Sequence, residues 1–204
     1  MNGVLSYAPT AAACFAVPQF LPQLLKLRAA PDRAGVSWSW AALTTTNNAA
    51  WIAYFTLSHE WIALIPSCSV TLLAGLLTVL LTGAQHVPRR SIAAIGVWMA
   101  TLATAGSFTG IAGLGTLLTT AFIVQVAPSL WAAYRTDCPS GISAGTWALI
   151  LGELACFLAY GLYKSDPRLT VLGSTGVVAS TLMLARIVWT RSSTHHGTAR
   201  LPRG

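Results

Sequence analysis

Charge is scarce in this sequence: 12 Lys and Arg with 5 Asp and Glu amount to 8% of 204 residues, where a soluble globular domain carries roughly 25%. So few charges cannot cover a water-soluble surface, which excludes an ordinary soluble fold. Lysine occurs only as Lys26 and Lys164, both at the edges of apolar blocks. A retinal protein with a Schiff-base lysine in its last helix is thereby excluded. Cysteine is limited to Cys14, Cys68, Cys138 and Cys156, with no CxxC pair and no histidine at metal spacing. All four are read as free thiols, and neither a metal nor a cofactor is expected. No basic residue precedes Lys26, so a standard secretory signal peptide is not expected. No nucleophile–base pair or phosphate loop stands out, so an enzyme is not expected either.

Apolar residues are plentiful, at 54%, and they come in blocks. Seven stretches approach the roughly 20 residues that a bilayer crossing needs: 6–26, 37–57, 61–82, 91–111, 114–134, 142–163 and 169–190. The expected fold class is therefore all-α and integral to a membrane. Basic residues set the orientation. Lys26, Arg28, Arg33, Arg89, Arg90, Arg135, Arg186, Arg191, Arg200 and Arg203 fall on one side of the seven spans; only Lys164 and Arg168 fall on the other. This predicts an outside N-terminus and a cytoplasmic C-terminus in the cell membrane. It also accounts for the net charge of +7 without nucleic acid, which would need clustered basic residues on a reading surface.

The chain repeats itself. An offset of 106 residues matches Gln19 with Gln125, Pro22 with Pro128, Gly35 with Gly141, Ser37 with Ser143 and Tyr54 with Tyr160, without a gap. Each copy covers three spans, an odd number, so copies joined directly would face opposite ways. The extra fourth span restores a common orientation. The expected organisation is 3+1+3: a first three-helix repeat over 1–85, a linker helix over 86–113, a second repeat over 114–191 and a disordered cytoplasmic tail over 192–204.

Phe20-Leu21-Pro22-Gln23-Leu24-Leu25-Lys26, then Gly35-Val36-Ser37 and Trp51-Ile52-Ala53-Tyr54, closely resemble the PQ-loop superfamily, which holds SWEET and SemiSWEET sugar transporters and cystinosin-like amino-acid transporters. The second copy reads Ala127-Pro128-Ser129-Leu130, Gly141-Ile142-Ser143 and Phe157-Leu158-Ala159-Tyr160, with Ser129 where the motif has glutamine. The resemblance implies two parallel repeats about an axis along the membrane normal, as in SWEET proteins. It also implies a solute site between them and a hinge at Pro22-Gln23 and Pro128-Ser129. Trp51 and Phe157 occupy positions like the substrate-contacting aromatic of SemiSWEET proteins. The asparagine that the family carries on the third helix of each unit is replaced here by the Cys68 and Ser174 regions, whose small hydroxyl and thiol groups would have to serve instead.

The residues themselves support part of this. A proline inside a membrane helix removes a hydrogen bond and clashes with the preceding turn, and neighbours re-satisfy the freed groups; this fits either a hinge or a static kink. Trp40, Thr44, Asn47, Trp51 and Tyr54 recur at steps of 4, 3, 4 and 3, and Thr146, Ile150, Glu153, Phe157 and Tyr160 do the same. That spacing keeps one helix face. Lipid gives no reason for polar residues there, so both stripes are expected to face the bundle interior. Glu153 is the lone carboxylate deep in a span, since Asp32, Glu60, Asp137 and Asp166 lie in loops. An ionised carboxylate at mid-bilayer costs at least about 2.5–3.5 kcal/mol, so Glu153 is either a coupling or amine-binding group or a neutral interhelical donor. The expectation is a transporter of a small polar solute, a sugar first, by alternating access. A proton-coupled amino-acid carrier using Glu153 and a non-transporting receptor on the same fold are the alternatives. The expected binding residues are Trp51, Phe157, Asn47, Glu153, Tyr54, Tyr160, Cys68 and Ser174. The expected partners are the solute and the bilayer, with a homo-oligomer compatible with a chain of this size.

Overall fold

The computed structural model describes residues 5, 7–29, 33–59 and 61–198. Asp32, Glu60, Arg200 and Arg203 lie outside them. The described chain is helical, with no strand: α1 Ala8–Ala16, α2 Leu21–Ala29, α3 Trp38–Leu57, α4 Trp61–Thr82, α5 Arg89–Arg135, α6 Ala144–Lys164 and α7 Pro167–Thr198. Four of these contain stretches long and apolar enough to cross a membrane: Leu64–Thr82, Arg89–Arg135, Ala144–Lys164 and Leu169–Thr190. Large apolar side chains such as Leu72, Val79, Val97, Phe108 and Val188 stand exposed on the helix exteriors, as they do when lipid, not water, surrounds the bundle. The protein is a helical membrane protein.

Two elements differ from expectation, each for a local reason. The stretch 6–26 is two short helices, not one. Pro18 and Pro22 each lack an N–H, so two i→i−4 bonds about one turn apart cannot form. The chain turns tightly between them, with Gln19 N–H on Ala16 C=O at 3.3 Å and Leu21 N–H on Pro18 C=O at 2.9 Å. Ser69 of α4 donates its hydroxyl to the freed Val17 carbonyl at 2.7 Å. Stretches 91–111 and 114–134 are two helices, as expected, joined within α5 by a kink at Gly110 (φ 65°, ψ −162°), a backbone conformation essentially confined to glycine. The single Pro128 is absorbed inside α5. Last, α7 extends to Thr198, so residues 192–198, expected as disordered tail, carry helical backbone; 199–204 lie outside the described residues.

The motif Gly-x-Ser has a plain structural meaning. Ser37 and Ser143 are the N-caps of α3 and α6, accepting from Trp40 N–H at 3.2 Å and Thr146 N–H at 3.3 Å, which satisfies one otherwise orphaned donor at each helix start. The glycines let the two capping loops cross back to back. Gly35 has φ +80°, and a Cβ on it would lie 2.6 Å from Pro139 Cβ; one on Gly141 would lie 2.7 Å from the Arg33 carbonyl carbon. Gly141 N–H donates to Ala34 C=O at 3.0 Å across that crossing.

Helix packing uses one pattern twice. α1 and α2 lie on α4, and α3 lies on α4; α5 lies on α7, and α6 lies on α7. Across the repeats, α1 and α2 meet α6 while α5 meets α3. One end of the bundle gathers loops that carry basic residues. Lys26 Nζ donates to Ile142 C=O at 2.6 Å, Gln85 to Val36 C=O at 3.2 Å, and Arg186 to the Ala133 and Thr136 carbonyls at 3.3 and 2.9 Å. Arg186 thus caps the C-terminus of α5 with a cation.

Candidate solute site

The site has a closed end, fastened by Gln23. This residue, in the first turn of α2, reaches across to the start of α6. Its side-chain amide donates to Gly141 C=O at 2.8 Å and accepts from Ser143 N–H at 2.7 Å; its own N–H donates to Thr146 Oγ1 at 3.0 Å. These groups are buried, with Gln23 1% and Thr146 0% exposed. Directly beside them Trp40 stacks on Trp147 (5.3 Å, 23°) and leans on Phe20 (5.3 Å, 34°). Helical spacing puts Trp40 on the stripe expected to face the bundle interior. It does so, as part of the main apolar core with Leu24, Leu77, Ile150 and Met183.

One turn along α3 lies Thr44, 2% exposed, whose hydroxyl has no hydrogen-bond partner. The next turn is polar in both repeats. Asn47 donates to the Gln125 side-chain carbonyl at 2.8 Å and accepts from Trp98 Nε1–H at 2.7 Å. Glu153, 106 positions on from Asn47, is hydrogen-bonded by the side chain of Gln19, itself 106 positions before Gln125. The two pairs are therefore one interaction made twice. One joins Gln19, in the turn between α1 and α2, to α6, and the other joins Gln125 of α5 to α3.

The two partners differ in their bonds. Asn47 is 2% exposed and its amide is committed at both ends. The carboxyl of Glu153 is enclosed although the residue as a whole is half-buried, and no cation stands beside it among the described residues. Asn47 is thus a fixed node of the structure, not the free ligand that its place on the stripe suggests.

Beyond this layer the stripes open. Trp51, Tyr54, Phe157 and Tyr160 are all half-buried. Trp51 packs edge-on to Tyr54 (5.2 Å, 84°) and stacks on Phe55 (5.2 Å, 19°). Both Trp51 and Tyr54 lean on the small cluster of Leu102, Leu114 and Leu118 in α5, whereas Phe157 packs on the main core. Trp51 and Phe157 thus belong to two different apolar clusters. Tyr160 has Lys164 Nζ 5.9 Å from its ring centroid. Cys68 is exposed; its neighbour Ser67 is the buried one, at 6%. Ser174 donates to Thr170 C=O at 2.6 Å, which uses its single proton. Pro22 is half-buried against Gly145, and Ser129 is buried in α5.

Gln19, Gln125, Trp98 and Trp147 have no role assigned by sequence. The first two carry a signal, since they are matched repeat positions with polar side chains inside spans. Trp98 and Trp147 carry none, because an aromatic in an apolar run looks like any other core residue. No protein-family model matches this chain, and no curated protein matches it.

Proposed function

We propose that this chain is a membrane transporter of a small polar solute, working by alternating access between two three-helix repeats joined by the first half of α5. The observation that supports the reading is the doubled glutamine layer. Gln19–Glu153 and Gln125–Asn47 join the repeats across their interface near the middle of α3 and α6. A buried floor lies on one side of it and a half-open mouth on the other. The repeat packing pattern fits two parallel units around one axis. Such a layer costs several kcal/mol per polar group if left unpaired in a bilayer, and interhelical polar groups at this depth mark pathways.

The floor is the end where Lys26, Arg135 and Arg186 lie, which the charge distribution assigns to the cytoplasm. The chain then has its N-terminus outside and its C-terminus inside. In this reading the Gln23 fastening closes the inner end. For it to open inward, the Gln23 bonds to α6 and the Trp40–Trp147 stack must separate. The break between α1 and α2 lets Gln23 move without unwinding α3 or α4.

A sugar is the first solute to test, because Trp51 and Phe157 offer flat apolar faces beside polar groups. Glu153 favours a second reading, a solute or coupling ion that carries positive charge. Both are read in one experiment: counterflow of labelled glucose in liposomes, with Trp51→Ala and Glu153→Gln alongside the wild type. Uptake lost in Trp51→Ala and kept in Glu153→Gln supports a sugar facilitator. No glucose uptake by folded wild type removes glucose as the solute, and amino acids under a proton gradient then follow. Failure there too would leave a receptor on this fold.

A further inference from the structure

The end of the bundle that gathers the basic loops holds a partly enclosed cavity of about 150 Å³. It is lined by Lys26 of α2, by Cys138, Ser140 and Ile142 of the second capping loop, and by Ile187 and Thr190 of α7. At roughly 30 Å³ per water, that is room for a phosphate group. The polar lining is one ammonium, two hydroxyls and a thiol, with no carboxylate among the described residues. Lys26 Nζ is fixed at the cavity by its 2.6 Å bond to Ile142 C=O. Arg186 stands one turn before Thr190, whose hydroxyl donates to the Arg186 carbonyl at 3.0 Å. The bonds of Arg186 to the Ala133, Thr136 and Asp137 carbonyls use Nε and Nη2, which leaves the two donors of Nη1. This chemistry suits an anion.

The depth of the cavity narrows the choice of anion. Thr190 ends the apolar stretch of α7, so the cavity lies level with lipid headgroups. Two exposed tryptophans mark the same level: Trp131, with the Arg135 guanidinium 4.2 Å from its ring centroid, and Trp189, with that of Arg186 at 5.4 Å. Tryptophan and basic residues together are the mark of a membrane–water interface. Trp189, Leu182 and Val178 are exposed and spaced by 7 and 4 along α7, which puts them on one face. They make an apolar track from beside Arg186 into the hydrocarbon.

We infer that this cavity binds the phosphate of an anionic phospholipid, with Lys26 as its charged contact and the acyl chains on the Trp189–Leu182–Val178 face. Lys26 belongs to the first sequence repeat and the rest of the lining to the second. A lipid seated there spans the crossing that Gln23 fastens through Gly141 and Ser143, and so steadies the closed end. The orientation proposed above makes its leaflet the inner one.

The test uses full-length protein purified in detergent and stripped of lipid. It is titrated with phosphatidylglycerol, with phosphatidylcholine of the same chains, and with glycerol 1-phosphate and inorganic phosphate. Occupancy is read as the rate at which N-ethylmaleimide labels Cys138, in a variant that retains that cysteine alone, and as bound lipid by native mass spectrometry. Phosphatidylglycerol is expected to slow the labelling, and the other three are not. Lys26→Gln keeps a donor for Ile142 C=O but removes the charge. It should weaken phosphatidylglycerol binding about five-fold, the effect of one basic residue beside anionic lipid. Arg28→Gln, an exposed neighbour outside the lining, should weaken it less than about two-fold. If Lys26→Gln misfolds, the comparison of the two lipids still decides. Equal labelling rates with the two lipids overturn the site. Protection by either soluble phosphate equal to that by the lipid overturns the lipid as its occupant. Equal losses in Lys26→Gln and Arg28→Gln reduce the effect to diffuse charge attraction and overturn it too. No solute enters this assay, so its failure does not bear on transport, nor the failure of transport on this site.

Discussion

Gln23 commits its main chain and both ends of its amide to residues 118 to 123 positions away. A motif glutamine that sequence marks only as a hinge companion is therefore a fastening between repeats. Gln23→Leu keeps the volume but strands the Ser143 N–H and the Gly141 C=O in a buried place. The expected loss is about 2–4 kcal/mol, from roughly 1–3 per unsatisfied group, read as a lowered unfolding midpoint in detergent. Gln85→Ala, which removes one partly exposed 3.2 Å bond to Val36 C=O, should cost no more than about 1 kcal/mol. Equal losses in the two variants would mean that the α2–α6 fastening does not hold the repeats together. Ser129, in the matched position, is too short to repeat the reach. One repeat thus fastens the floor with an amide and the other does not, so release of the Gln23 side should limit opening.

At the scale of elements, the break between α1 and α2 differs from the continuous second half of α5, after Gly110, because two prolines four apart remove two ladder bonds within about one turn, while Pro128 removes one. Ser69 steadies the break through Val17 C=O. Pro18→Ala and Pro22→Ala together restore both N–H groups, so α1 and α2 should fuse into one helix. The expected outcome is slower flux, by about ten-fold for a step that gates turnover, with solute binding unchanged. Unchanged flux in a variant whose helix content rises would show that the break only aids packing. The crossing of the capping loops makes a second element-scale test. Gly35→Ala puts a β-carbon into Pro139 at a positive φ and should cost about 2 kcal/mol or more, with roughly 1–2 from the left-handed backbone alone. Gly96→Ala, with nothing within 4 Å of the new carbon, should stay within about 0.5 kcal/mol of wild type. Thermal unfolding of the pair decides it.

For the whole molecule, the proposed orientation places the exposed Cys138 on the cytoplasmic face with Lys26 and Arg186. In a variant that retains Cys138 alone, a membrane-impermeant maleimide should label inverted vesicles and leave intact cells unlabelled. Labelling from outside would reverse the orientation, and with it the assignment of the closed floor to the inner face. The same charge count makes the orientation depend on the basic residues as a group, so removing one of them should not invert the chain.

Composition and periodicity by themselves determined that the chain is helical and built for lipid. Scarce charge, long apolar blocks and breakers between them are local properties, readable without knowing what touches what. The 106-residue offset also named the matched positions, including Gln19 and Gln125, because it compares the chain with itself residue by residue. Contacts were not legible. Helical spacing says which residues share a face but not which neighbour that face meets. So Trp40, Asn47 and Trp51 looked like one lining, and tertiary structure sent them to the core, to a closed hydrogen-bond node and to a separate cluster on α5. That Asn47 is spent depends on Gln125 and on Trp98, a residue outside both repeats whose indole reaches Asn47 because α5 doubles back at Gly110. Long-range pairing of this kind is set by how helices pack in three dimensions, which no window of sequence contains.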